Sequence, residues 1–147
     1  MATFEIIVGS VLGASEYVAD ALEGVLVAHQ HKARIHLHPD INDLDQTAIW
    51  LVCTSTHGAG DLPDNIQRFA RQCQQRALDS VKFSVVGLGD SSYDTFCNGA
   101  VQIENILKKA GAVFIQPAVH IDVLVHPIPE DLAVKWLEEW LSDPQLN

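Results

Sequence analysis

Three short stretches of this chain gather the residues that could do chemistry. The first is Gly9-Ser10-Val11-Leu12-Gly13-Ala14-Ser15-Glu16. Its small residues let backbone N–H groups turn toward an anion, and Ser10 and Ser15 add hydroxyl donors. A helix starting here would aim the positive end of its dipole at the same place. The stretch has no Lys or Arg, so a phosphate would be held by neutral donors. An ordinary turn with Ser15 as helix N-cap uses the same residues. The second stretch is Thr54-Ser55-Thr56-His57-Gly58-Ala59-Gly60-Asp61-Leu62-Pro63-Asp64-Asn65. Hydroxyls precede two glycines, and His57 offers a flat ring that can stack on a planar ligand. A glycine-rich connection with Asp64 capping the next helix is the plainer alternative. The third stretch is Gly87-Leu88-Gly89-Asp90-Ser91-Ser92-Tyr93-Asp94-Thr95-Phe96-Cys97-Asn98. Tyr93 is an aromatic on an otherwise polar loop, suited either to stacking on a ligand or to packing on its own domain.

Competing chemistries lack their residues. A Walker loop needs Gly-x-x-x-x-Gly-Lys-Ser/Thr, and the first stretch has no lysine. Gly9 and Gly13 do not fit the three-glycine spacing of a dinucleotide fingerprint. A receiver domain needs an acidic pair after its first strand and an aspartate ending its third, where this chain has Gly9-Ser10 and Cys53-Thr54. Cys53, Cys73 and Cys97 form no Cys-x-x-Cys pair, and their odd number argues against a disulfide framework. They read as reduced thiols in or near the core. His29, His31, His36 and His38 are spaced as a helix end and a short strand, largely solvated, rather than as a metal site. His120 and His126 flank a late loop that would reach a bound ligand's edge if it folds back.

Those stretches need elements to position them, and the hydrophobic pattern supplies them. Apolar runs at 4–8, 33–37, 48–53, 82–86 and 112–115 read as strands, the last continuing past Pro117 toward Ile121. Helical patterns occupy 15–28, 63–77, 99–109 and 130–141, while 41–46 replaces a helix with a short turn. Trp50, Trp136 and Trp140 fall at apolar-periodic places and are expected in the core. Near-continuous apolar strands are buried on both faces, which predicts a parallel sheet between helical layers. In such doubly wound folds ligands sit beyond the carboxyl ends of the strands. Each of the three stretches follows a strand.

The 147 residues suit one domain and carry a formal charge of −10. That charge repels DNA and RNA and permits steering toward a basic protein surface. No apolar run is long enough to span a bilayer, and the N-terminus lacks a signal-peptide pattern, so a cytoplasmic location is expected.

Taken together, the three stretches resemble the flavodoxin family and the FMN domains of diflavin reductases. The resemblance covers nearly the whole chain. It implies a single flavodoxin-like domain over residues 1–147, with a doubly wound sheet of five parallel strands in the order 2-1-3-4-5 and helices on both faces. It also implies one noncovalent FMN. Ser10, Val11, Leu12, Gly13, Ala14 and Ser15 would hold its phosphate. Thr54, Ser55, Thr56, His57, Gly58, Ala59 and Gly60 would form one wall of the ring site. Gly87, Leu88, Gly89, Asp90, Tyr93, Phe96 and Cys97 would form the other. His57 matches the inner-face aromatic and Tyr93 the outer-face tyrosine. Gly58 matches the glycine whose peptide can turn its carbonyl toward the reduced ring. Leu12 and Ala14 replace usual hydroxyls, and His57 replaces the commoner Tyr or Trp, so weaker binding is expected.

By this resemblance the protein shuttles single electrons, docking by its acidic rim first on a basic flavoprotein reductase of the flavodoxin/ferredoxin type and then on an acceptor redox enzyme. Asp61, Asp64, Asp90 and Asp94 would make the reduced anionic flavin a stronger reductant. No catalytic base or nucleophile is required. A flavin-dependent NAD(P)H oxidoreductase and a flavin-free binding or regulatory module remain as alternatives.

Overall fold

Central strands buried on both faces explain the architecture. The computed structural model describes residues 1–143 apart from Ala59; the expectation that Ala59 binds ligand therefore falls outside the described residues. The chain runs β1 (Thr3–Gly9), α1 (Ala14–Ala28), β2 (Lys32–His36), a 3-10 turn (Ile41–Asp43), β3 (Ile49–Thr54), α2 (Asp64–Gln74), β4 (Lys82–Gly89), α3 (Asn98–Lys109), β5 (Val113–Phe114), β6 (Val119–Asp122) and α4 (Pro129–Leu141). Successive strand residues face opposite sides of the sheet. Phe4, Ile6 and Val8 of β1 therefore join Leu51, Val86 and Leu137 in the core under α1 and α4. Ile7 joins Trp50, Val52, Phe83 and Val85 in the second core, with Phe69 of α2 and Ile103 of α3. Each large apolar side chain buried this way contributes roughly 1.5–3 kcal/mol.

The paired strands are parallel, as the apolar pattern predicts, and follow the order β2-β1-β3-β4-β5 that the family resemblance implies, with β6 added on β4. The fifth position is divided. β5 pairs with the start of β4, and β6 pairs with its end, Val86 to Gly89. Pro117 has no N–H to give a ladder and interrupts the strand between them. The carbonyls freed by the break are taken up: Ser84 Oγ donates to Gln116 O at 2.7 Å, and Trp136 Nε1 to Pro117 O at 3.2 Å. Trp136 is half-buried because of that role, whereas Trp50 is fully buried and Trp140 nearly so.

β4 runs three residues beyond the expected strand, so Gly87, Leu88 and Gly89 belong to the sheet rather than to a loop. Pairing with β6 is the reason, since it satisfies this segment on its second edge. The α2 helix ends at Gln74 rather than at residue 77. Among the described residues no helix is long and apolar enough to cross a membrane.

Two histidines expected in solvent are packed. His31 Nδ1 accepts a hydrogen bond from the Ala2 amide at 2.9 Å, and its ring meets Phe4 edge-on. His36 Nε2 lies 3.3 Å from the Glu5 carboxylate. Glu5 is fully buried in β1, where the short turn replaces a covering helix. Arg34 on β2 grips it through two hydrogen bonds, 2.8 and 2.6 Å, and the Asp45 amide adds a third at 2.9 Å. Burial pushes the Glu5 carboxyl up, but the bonds from Arg34 and Asp45 and the nearby His36 ring outweigh it, and its pKa lies below the ordinary value.

Candidate functional site

The carboxyl ends of β1, β3, β4 and β6 converge on one edge of the molecule. The β1 loop is shaped by Gly13, whose φ of 93° suits glycine and starts α1 as its N-cap. Ser10 Oγ accepts the Gly13 amide at 3.0 Å and faces Glu16 Oε2 at 3.4 Å. Ser15 does not cap the helix; its hydroxyl is buried and shares a 2.6 Å hydrogen bond with Ser55 Oγ. The two hydroxyls expected to face an anion are thus engaged within the protein. The amides of Val11, Leu12, Ala14 and Ser15 have no partner among the described residues. They surround the start of α1, where the helix field favours negative charge.

Asn65, in the first turn of α2, ties this loop down. Its Oδ1 accepts the Ser10 amide at 2.9 Å, while Nδ2 donates to Val8 O at 2.7 Å and Leu37 O at 3.0 Å. Its signal in the sequence is an amide beside Pro63 and Asp64, a side chain able to donate and accept at once. Asp64 itself is the first residue of α2 and makes no cap; Pro63 holds the N-cap position.

The β3 loop closes as a short bridge between His57 and Asp61, with the His57 amide on Asp61 O at 2.7 Å and the Asp61 amide on His57 O at 2.8 Å. Gly58 has φ 52° and Gly60 φ 108°. Gly60 is clamped: its carbonyl accepts Asn98 Nδ2 at 2.7 Å and Gln102 Nε2 at 2.6 Å from α3. Gly58 has open space around it, with nothing within 4 Å of a Cβ built there.

The β4 loop begins with Asp90, whose Oδ1 accepts the Ser92 amide at 2.8 Å. The turn lifts Tyr93 into solvent, 63% exposed, so it does not pack on its own domain. Asp122, at the end of β6, accepts the Ser91 amide at 3.3 Å and the Leu124 amide at 3.0 Å, joining a fourth loop to the site. Hydrogen bonding to Ser91 and to Leu124, against some desolvation, keeps the Asp122 carboxyl below its ordinary pKa. Cys97 is buried with φ 52°, and burial raises its thiol to about 12.

Two adjoining clefts occupy the space between these loops. One, of about 330 Å³, is lined by Thr56, Gly58, Gly89, Asp90, Tyr93, Thr95, Phe96 and Cys97. The other, of about 270 Å³, is lined by Val11, Leu12, Ala14, Ser55, Leu88 and Val123, and shares Thr56, Gly89 and Asp90 with the first. Twelve of the expected residues are thereby brought together. Ser10 and Gly13 of the β1 loop, and Ser15 at the start of α1, are not in the cleft lining; Thr54 and Gly87 are buried in strands; Gly60 faces α3; and the exposed His57 is outside the cleft lining. Thr95 and Val123 line the clefts without having been expected to, because polar or β-branched loop residues carry no distinguishing pattern.

This frame has close relatives. The sequence profile of the flavodoxin family matches residues 6–136. The chain belongs to the flavodoxin family. FMN is the cofactor of flavodoxins, and one-electron transfer is their general work. Protein MioC of Escherichia coli K12 is 42% identical over 144 residues, covering 97% of this chain and 98% of that protein. A cysteine-to-serine mutant of a flavodoxin from Pseudomonas aeruginosa superposes with a TM-score of 0.87 at 32% identity, covering 95% of this chain and 97% of that one. The Fusobacterium nucleatum flavodoxin bound to flavin mononucleotide shares the fold, with a TM-score of 0.79 at 14% identity over 97% of this chain and 98% of that one.

Proposed function

We propose that residues 1–147 act as one cytoplasmic FMN domain that takes single electrons from a basic flavoprotein reductase and passes them to an acceptor redox enzyme. The observation that carries the binding mode is the set of unpaired amides of Val11, Leu12, Ala14 and Ser15 at the start of α1. Four neutral donors at a helix N-terminus suit the phosphate of FMN without a cation. The donor set therefore fits the cofactor. Gly89 adds a second point of fit: any side chain there would meet the Cys97 amide at 2.7 Å, so glycine leaves the clefts open between the loops.

In this reading the hydroxyls of Ser10, Ser15 and Ser55, with Gly13 and the Asn65 side chain, hold the phosphate loop in shape rather than binding the phosphate. Tyr93 supplies an exposed face for the isoalloxazine ring, with Gly58, Phe96 and Cys97 beneath it. His57 covers the opposite side. Gly58, unobstructed, is free to turn its carbonyl into the cleft, while the clamp on Gly60 confines that movement. FMN, when bound, supplies the one-electron chemistry. The exposed Leu12, Leu124 and Val125 flank the clefts and provide apolar contact for a partner, and the acidic rim selects a basic one.

An FMN titration followed by absorbance and flavin fluorescence tests the binding mode. Tyr93→Ala is expected to weaken FMN roughly ten-fold, the scale of one base-like ring stack; an unchanged dissociation constant would remove Tyr93 from the site. The partner reading is tested by reductase-driven reduction at rising salt. The rate should fall as ionic strength rises, and a flat profile counts against electrostatic docking.

A further inference from the structure

We propose that Glu16 is a specificity-determining residue that lowers the site's preference for phosphorylated over unphosphorylated flavin. This rests on the reading that the phosphate of FMN is held by the β1 loop. Glu16 lies in the first turn of α1, and its carboxylate turns back over that loop. Oε2 is 3.4 Å from Ser10 Oγ and 3.5 Å from where a Cβ on Gly13 would stand. The loop contains no Lys or Arg, and none of the ion pairs of the described residues involves Glu16.

The electrostatics follow from that placement. The start of α1 is a region of positive potential. In the protein alone, Glu16 is the anion that occupies it. A phosphate monoester carries close to two negative charges near neutral pH. Its arrival puts a second anion in the same small field with no cation to separate the two. The amides attract the phosphate, and Glu16 opposes it. Riboflavin has the same ring and ribityl chain but no phosphate, so it escapes the opposition. FMN should therefore gain less over riboflavin than four amides at a helix N-terminus would otherwise give.

Glu16→Gln separates charge from shape, because the amide keeps the side chain's length and a hydrogen-bonding oxygen for Ser10. The experiment is titration of the apoprotein with FMN and with riboflavin, for the natural chain, Glu16→Gln and Asp20→Asn. Asp20 is exposed one turn further along α1 and reports the general effect of removing one negative charge. The expected result is FMN binding tightened roughly three- to five-fold by Glu16→Gln, as suits a half-exposed charge, with riboflavin unchanged. Asp20→Asn should move both flavins by less than about two-fold at physiological salt. Added salt should also tighten FMN more in the natural chain than in Glu16→Gln. Weaker FMN binding in Glu16→Gln, or an equal shift for both flavins, overturns the proposal and makes Glu16 a scaffold residue. That outcome leaves the FMN site standing, provided Tyr93→Ala still weakens both flavins. Failure of either flavin to bind the natural chain overturns the site and the role of Glu16 together.

Discussion

Gly89 stands where β4 leaves the sheet and the cleft begins. A methyl group there would come within 2.7 Å of the Cys97 amide and 3.0 Å of the Phe96 ring. Backbone cannot swing aside as a flexible side chain can. Gly89→Ala should therefore cost about 1–3 kcal/mol and loosen FMN, read from urea midpoints and a flavin titration on the same preparation. The sequence marked Gly89 as a site residue through its neighbours, but not the contact that makes it glycine. Side-chain partnership is what sequence spacing conveys least. Ser10 and Ser15 look like anion donors in a linear reading, yet Ser15 finds Ser55 forty positions away. Asn65 draws together β1, the segment after β2 and the β1 loop, a role visible only once the loops are folded next to one another.

Among the elements, β1 carries the most exacting polar group. Glu5 pairs across the strand register with Arg34, and no water-facing route is open to it. Its pKa is lower in the folded chain than in the unfolded one, where it stays near the ordinary 4.5. A depressed carboxyl stabilises the fold above the unfolded pKa, and that stabilisation is lost as pH falls through the folded value. Arg34→Ala leaves a buried carboxylate with too few donors and should lower stability near neutral pH. The loss should shrink in acid, where Glu5 takes up a proton. Urea midpoints between pH 7 and pH 4 for both chains check this; a pH-independent difference would mean that Arg34 acts by packing alone. Most elements were readable because apolar periodicity is a local property. The ends of β4 and the division of the fifth sheet position were not, since both depend on which segment of β4 finds β6. The charged pair was missed because a single Glu within Phe4-Glu5-Ile6-Ile7-Val8 scans as a buried strand.

Across the whole molecule, charge and thiols are unevenly placed. The α1 and α4 face bears Glu16, Asp20, Glu23, Glu130, Asp131, Glu138 and Glu139 against Lys135, whereas α2 and α3 bear Arg68, Arg71, Lys108 and Lys109 against Asp64 and Glu104. The helices on one side of the sheet thus carry a net −6 and those on the other +2, an asymmetry that would orient the basic partner proposed above as well as attract it. Cys53, Cys73 and Cys97 are all buried, and burial raises each thiol to about 12. Almost no thiolate is present at neutral pH, so a chromogenic disulfide reagent should find no fast-reacting group in the native protein and three after denaturation. Rapid labelling of the native chain would show that one of them is accessible. The break between β5 and β6 has a consequence for how such a chain can vary. Its carbonyls are already answered by Ser84 and Trp136, and neither sheet segment relies on the other's ladder. The stretch from Pro117 to Ala118 is therefore a seam at which extra residues can be let into the sheet's edge, adding surface for recognition while the loops at the carboxyl ends of β1, β3 and β4 stay where they are.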